Sequence, residues 1–177
     1  MRLAALLGSI NVGGNRLKME DLRAAMEGAG FADVETVVAS GNVLFSHESA
    51  PDQMLGGEIS KLIEREFAIR SVALVRTADE LRAGITDNPF AQAGADKRVH
   101  THFLEHQPSQ AQFDALVADH AGRGSEALAL GDRALYIDFV DGVAGSRLTS
   151  AFIERRLGYR GTARNMRSLA RILERMT

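Results

Sequence analysis

Two stretches of this 177-residue chain gather residue types able to hold an anion. The first runs from Gly8 to Lys18 and places Gly8, Asn11, Gly13, Gly14, Arg16 and Lys18 before a helix-like segment; Ser40, Gly41 and Asn42 form a second turn. Glycine-rich backbone that feeds a helix can aim several N–H groups at one anion, and Asn11, Ser40, Asn42, Arg16 or Lys18 could complete the shell. The same residues also suit a long turn in which the glycines take positive φ and the asparagines bond their own backbone. The second stretch is Asp141–Arg147 together with Arg164 and Asn165. Here Ser146 or Thr149 can cap a helix, while Arg147 and Arg164 offer planar forks suited to phosphate or carboxylate. Its purely conformational counterpart is Arg147 paired with a local acid and Arg164 bonded to backbone carbonyls.

Several chemistries are excluded on the same residues. Gly8 and Gly13 have the spacing of a P-loop, but Gly14 and Asn15 follow where Lys and Ser or Thr are required, and no Gly-x-Gly-x-x-Gly is present. With no cysteine there is no thiolate nucleophile, no disulfide and no Cys-containing zinc site. There is no Gly-x-Ser-x-Gly elbow, and the acid pairs Glu20–Asp21 and Asp79–Glu80 fall in first turns of helices, where the helix dipole accounts for them. His100 and His102 lie two apart in a strand-like run and share a face, with Tyr136 or Asp138 expected opposite. Such a set could ligate a metal, but no third histidine has motif spacing, so no metal and no cofactor is assigned. Catalytic residues stay unassigned; His106 and His47 are the only nominees for proton transfer near a loop.

The elements that must position these residues follow from periodicity. Leu3–Leu7 is a short apolar run ending at Gly8, a buried strand. Met19, Leu22, Ala25, Met26 and Ala29 have helical spacing, with Gly30 as the stop. Val34–Ala39 and Val43–Phe45 flank the turn at Ser40–Asn42, a helix opens near Pro51 and is weakened by Gly56 and Gly57, and Val72–Val75 is a fourth strand. Thr77 and Glu80 form a capping box for a short helix. The remainder repeats the order: strand 99–104, helix from Pro108 with Phe113, Leu116 and Val117, strands 127–130 and 135–140, a helix with Leu148, Phe152, Ile153 and Leu157 stopped by Gly158, and an extended piece near 159–163. A last helix puts Leu169, Ile172, Leu173 and Met176 on one side and Arg167, Arg171 and Arg175 on the other. The expected fold is α+β: two ferredoxin-like (βαββαβ) halves with antiparallel sheets plus a C-terminal helix, divided as 1–87, a linker at 88–97, and 98–177. In that topology the strand order four-one-three-two sets Gly8–Lys18 beside the turn at Ser40–Asn42, and 141–147 near Arg164–Asn165.

Composition narrows the setting. No apolar run approaches the ~20 residues that span a bilayer, and Met1 leads directly into a strand, so neither a membrane anchor nor a signal peptide is expected. A cysteine-free chain of this kind belongs by default in the cytoplasm. The net charge of −2 hides an asymmetry: residues 147–177 carry eight Arg against two Glu, or +6, which leaves −8 for the rest.

Leu6 to Gly14 with Lys18 and Met19, Ser40–Val43, Asp141–Gly142 through Ser146–Thr149, and Thr162–Asn165 occur together and in this order. On them the chain resembles the bacterial, uncharacterised family known as domain of unknown function 1697. Members commonly carry Arg where Ser9 stands and an aromatic where Met166 stands. The resemblance implies an α+β fold with ferredoxin-like halves and brings no activity, substrate or catalytic residue. Three functions remain open: a non-catalytic binding module for a small anionic ligand, an enzyme acting on a small phosphorylated or carboxylated metabolite, and an oligomeric interaction protein. Nucleic acid is disfavoured as the partner, because the first and third strands lack stacking aromatics and the overall charge is negative.

Overall fold

A computed structural model describes the chain except residues 12, 15, 39, 40, 49 and 52 and the side chain of residue 53. Its first half runs β1 (Arg2–Leu7), α1 (Met19–Gly28), β2 (Ala32–Thr36), β3 (Asn42–Ser46), α2 (Gln53–Phe67) and β4 (Ala73–Thr77). The strands form one antiparallel sheet in the order β2-β3-β1-β4. β1 is central and buried on both faces, which is why it reads as an unbroken apolar run instead of an alternating one. Leu3, Ala5 and Leu7 join Val43, Phe45 and Val75 on the side packed by Leu22 and Met26 of α1 and Leu55, Ile59 and Ile63 of α2. Ala4, Leu6, Leu44 and Leu74 are buried as well.

Local geometry refines the expected boundaries. Gly30 takes φ +94° just beyond α1, as a helix stop requires. β2 ends at Thr36, short of Ala39, because Val38 adopts φ +52° and Val37 N donates to Asn42 O at 3.0 Å to close the hairpin. Gly56 is a packing requirement and not a weak point of α2. A Cβ there would stand 2.4 Å from Ala73 O, so the glycine is what lets α2 approach β4.

The Thr77–Glu80 box forms as expected: Glu80 N donates to Thr77 Oγ1 at 3.2 Å and Thr77 N to Glu80 Oε2 at 2.8 Å, opening α3 (Ala78–Thr86). The second half runs β5 (Val99–Leu104), α4 (Gln110–His120), β6 (Ala127–Gly131), β7 (Ala134–Asp138), α5 (Ser150–Leu157), β8 (Gly161–Asn165) and α6 (Met166–Met176), with its antiparallel sheet in the order β6-β7-β5-β8. The ferredoxin-like order is therefore present twice. The compact units are Met1–Leu81 with Arg171–Thr177, and Arg82–Ala170. Within the second unit the start of the 88–97 segment is tied down. Asn88 is buried and its Nδ2 donates to His100 O and Thr101 Oγ1, both at 3.2 Å, while the Thr101 hydroxyl donates to Gly84 O.

The core of the second unit gathers Leu104, Leu135 and Ile137 of the sheet with Leu116 of α4 and Phe152, Ile153 and Leu157 of α5. Val117, expected on the apolar side of α4, is exposed; Leu116 and His120, four apart, form the buried side. In α6, Leu169, Ile172 and Met176 are buried and Arg167 and Arg171 exposed. Arg175 is exposed as well, as expected of the solvated stripe, and pairs there with Glu35 of β2, which also accepts from Arg2 at 3.1 Å. No helix among the described residues is long and apolar enough to cross a membrane.

The adjacent glycines of α2 give a paired test. Gly57 has nothing within 4 Å of a built Cβ, so Gly57→Ala should raise stability by about 0.5–1 kcal/mol through helix propensity. Gly56→Ala should instead lower it by about 1–3 kcal/mol, because the backbone of Ala73 cannot yield cheaply. Urea midpoints of the two variants would separate these opposite signs.

Candidate functional site

The first anion candidate is built on the end of β1. Leu7 N donates to Gly41 O at 2.8 Å, so β1 and the β2–β3 turn do meet at one edge. Gly8 is committed on both sides, its N–H to Val72 O at 2.9 Å and its carbonyl accepting from Ser71 Oγ. The two asparagines serve the backbone. Asn11, at φ +55°, clasps Leu17 by accepting from its N–H at 2.9 Å and donating to its carbonyl at 3.1 Å; buried Asn42 donates to Val37 O and Val38 O. Ser40 lies outside the described residues. What stays accessible is Gly13, at φ +60°, Gly14, and the cations Arg16 and Lys18. Lys18 is the N-cap of α1 and makes no side-chain cap, while Glu20 and Asp21 occupy the first turn.

The second candidate comprises two sets of contacts. Ser146 accepts from Leu148 N at 3.1 Å and donates to Glu126, just ahead of β6; Thr149, and not Ser146, caps α5 by accepting from Phe152 N. Arg147 is exposed beside Ser146. Arg164 lies in β8, where it donates to Thr162 Oγ1 and Ala163 O at 2.8 Å each, and Asn165 Oδ1 accepts from Ser168 N at the start of α6. Burial lowers the Arg164 pKa to about 10, which still leaves it charged at neutral pH. β6 and β8 are the two outer strands of this sheet, and β7 and β8 both end beside the start of β5.

The sheet register also corrects the histidine reading. His100 pairs with Ile137 and His102 with Leu135, whereas Tyr136 stands opposite Thr101 and Asp138 opposite Val99. Tyr136 and Asp138 therefore point from the other face. His100 Nδ1 lies 3.0 Å from Arg98 O and its ring packs edge-on to Phe139. Among the described residues no group of three His, Cys, Asp or Glu is placed to hold a metal. His106 packs against the Tyr159 ring, and His47 N donates to Met1 O.

A polar network absent from the sequence reading joins α4, β6 and the loop before α5. Glu126 is buried, with Ser146 Oγ donating to one oxygen and His120 Nε2 3.0 Å from the other. Burial pushes the Glu126 carboxyl up, but hydrogen bonds from Ser146, its own backbone and His120 outweigh it and hold the group below its ordinary range. The order is Ser–Glu–His. A hydrolytic triad needs the imidazole between hydroxyl and carboxylate, so His120 is not placed to take the Ser146 proton. The spacing of Leu116 and His120 was the one available signal, since it puts the histidine on the buried side of α4.

A family profile described as "Protein of unknown function (DUF1697)" matches residues 1–136. The chain belongs to this family. Among solved structures, a conserved bacterial protein from Streptococcus pneumoniae, SP0830, superposes with a TM-score of 0.73 at 18% identity, covering 99% of this chain and 97% of its own. That likeness is one of fold. No curated protein matches the sequence. Within the DUF1697 match lie Gly8–Lys18 and the turn at Gly41–Asn42; the segments 141–149 and 162–165 fall beyond it.

In this DUF1697 protein His102 is the most strongly perturbed histidine. Burial first, then the charges of His100 and Arg164, lower its pKa from 6.5 to about 4. A folded-state pKa below the unfolded one means that His102 contributes stability fully present above pH 6.5, and that this is lost as pH falls toward 4. The limit of the effect is about 3 kcal/mol. The His102 ring protons should titrate near pH 4 by NMR, and His102→Gln should flatten the fall of the urea midpoint between pH 6.5 and 4. An imidazole titrating near its ordinary value would contradict the assignment.

Proposed function

We propose that this DUF1697 protein is a cytoplasmic, non-catalytic binding module that takes a small phosphate- or carboxylate-bearing ligand at the junction of the Gly8–Lys18 loop with α1. The observation that supports it best is the uncapped start of α1. Lys18 supplies no side-chain acceptor to the first-turn N–H groups, and the accessible Gly13–Gly14 backbone, Arg16 and Lys18 belong to the same loop. Helix N–H groups that lack an internal acceptor are satisfied by water or by an anion, and the helix dipole favours the anion. Open space around both glycines leaves room for an oxyanion to approach the backbone. Asn11 contributes by fixing the loop through its clasp on Leu17. The Ser–Glu–His order at Ser146 speaks against acyl transfer. Phe45 is buried in the core among α1 and α2, which speaks against base stacking on β3.

Thermal-shift screening with phosphorylated and carboxylated metabolites tests this reading. A ligand at a hundred times its dissociation constant should stabilise the protein by about 2.7 kcal/mol. Lys18→Ala and Arg16→Ala should each weaken that ligand several-fold to about tenfold, at unchanged stability of the free protein. A flat response across the library, or a hit indifferent to both substitutions, would remove the α1 junction as the site.

A further inference from the structure

Four strands form the outer edges of the two sheets: β2 and β4 in one, β6 and β8 in the other. An outer strand presents a row of unpaired N–H and C=O groups, and proteins blunt such rows with charged side chains, inward-pointing ones included, or with bulges. Three of the four are treated in this way. β2 carries Asp33 and Glu35 and a register shift between Ala32 and Glu35, β4 carries buried Arg76, and β8 carries Arg164. β6 reads Ala-Leu-Ala-Leu-Gly, with no charge, no proline and no break in its register with β7.

The free edge of β6 is open along its length. All of its residues are half-buried. Among the described residues its backbone makes one bond beyond the ladder to β7, Gly131 O accepting from Gln107 Nε2 at 3.2 Å at the hairpin end. Leu128 and Leu130 turn to the helix side and pack on the core with Phe113, while Ala127, Ala129 and Gly131 alternate to the other face. Above this rim lies α4, which packs on β6. One flank of α4 is taken by α5, where Gln112 Nε2 donates to Leu157 O at 3.2 Å and Asp119 pairs with Arg156. Val117 lies about 140° and 160° around the helix from those two residues, on the flank away from α5. It is 41% exposed, and half-buried Phe113 stands one turn before it.

We propose that this margin of β6 and α4 is the interface with a second copy of this chain, the two β6 strands pairing antiparallel about a two-fold axis at Ala129. Antiparallel pairing of identical strands presents the same patch from both copies, so association closes at two. In that register Ala129 stands opposite itself, Leu128 opposite Leu130 and Ala127 opposite Gly131. The apolar alternation therefore continues across the join, and no like charges meet along the paired strands. A strand pair of this length alone falls short of the roughly 1,000 Å² of total buried surface that a stable interface needs. Phe113 and Val117 from each copy add a second apolar layer above the strands, which an extended peptide on the edge would leave unused. Every residue involved belongs to the Arg82–Ala170 unit, and none belongs to the loop before α1.

Sedimentation velocity on the full chain, from about 1 μM to 1 mM, tests this. A reversible monomer–dimer equilibrium is expected. Ala129→Lys sets two like charges opposite each other and should raise the dissociation constant roughly tenfold or more, as should Ala129→Glu; an equimolar mixture of the two variants should regain the dimer. That regain reports pairing at Ala129 and does not follow from a disturbed fold. Val117→Lys, on the exposed helix flank, should weaken the dimer too, and carries the comparison if the Ala129 variants do not fold. A monomer throughout the range, association that runs past the dimer, a dimer indifferent to these substitutions, or folded Ala129 variants that stay monomeric when mixed would each overturn the proposal. Lys18→Ala should leave the equilibrium unchanged, so failure of the α1 site and failure of this interface are separate results.

Discussion

Two-sided hydrogen bonding of β1 and β5 governs where everything else in this protein can go. Each is the first strand of its half, each is paired along both edges, and each is buried at all but one of its residues. Once a first strand is central, its later partners must add outward, antiparallel, and the loops leaving the strand ends are gathered at fixed positions along the sheet. The meeting of Leu7 with Gly41 follows from this constraint.

The polar side chains near those strand ends are mostly consumed by the architecture. Asn11, Asn42, Asn88, Thr101, Ser71 and Asn165 each bond a backbone group, in a neighbouring turn or on another element. An unsatisfied backbone group in a buried turn costs more than a side-chain amide can gain from solvent, so small polar residues are drawn into this work. Function then has to be sought among groups the backbone does not need. The exposed cations Arg16 and Lys18 of the loop before α1 are among them.

This division explains what could be read from the sequence. Element order, the Thr77–Glu80 box, the stop at Gly30 and the buried side of α6 were legible, because each depends on residues within a few positions of one another. The assignment of β1 as a buried strand was legible because a central strand needs apolar residues on both faces. Gly56 was misread because its role depends on Ala73, seventeen positions away and on another element. The partners expected for His100 and His102 failed on register: a shift of one residue across β7 exchanges the faces, and nothing local fixes that shift. The network of Ser146, Glu126 and His120 joins α4, the start of β6 and the loop before α5, and no spacing rule spans such distances.

The double engagement of Glu35 carries a consequence for handling the molecule. Its carboxylate receives Arg2 from the first strand and Arg175 from the last helix, so residues 173 positions apart in sequence meet at a single side chain. Both pairs are at the surface, so they mark where the two segments meet more than they hold them together. A circular permutant joining Thr177 to Met1 through a short linker would preserve that contact, with new ends opened in an exposed turn such as Gly122.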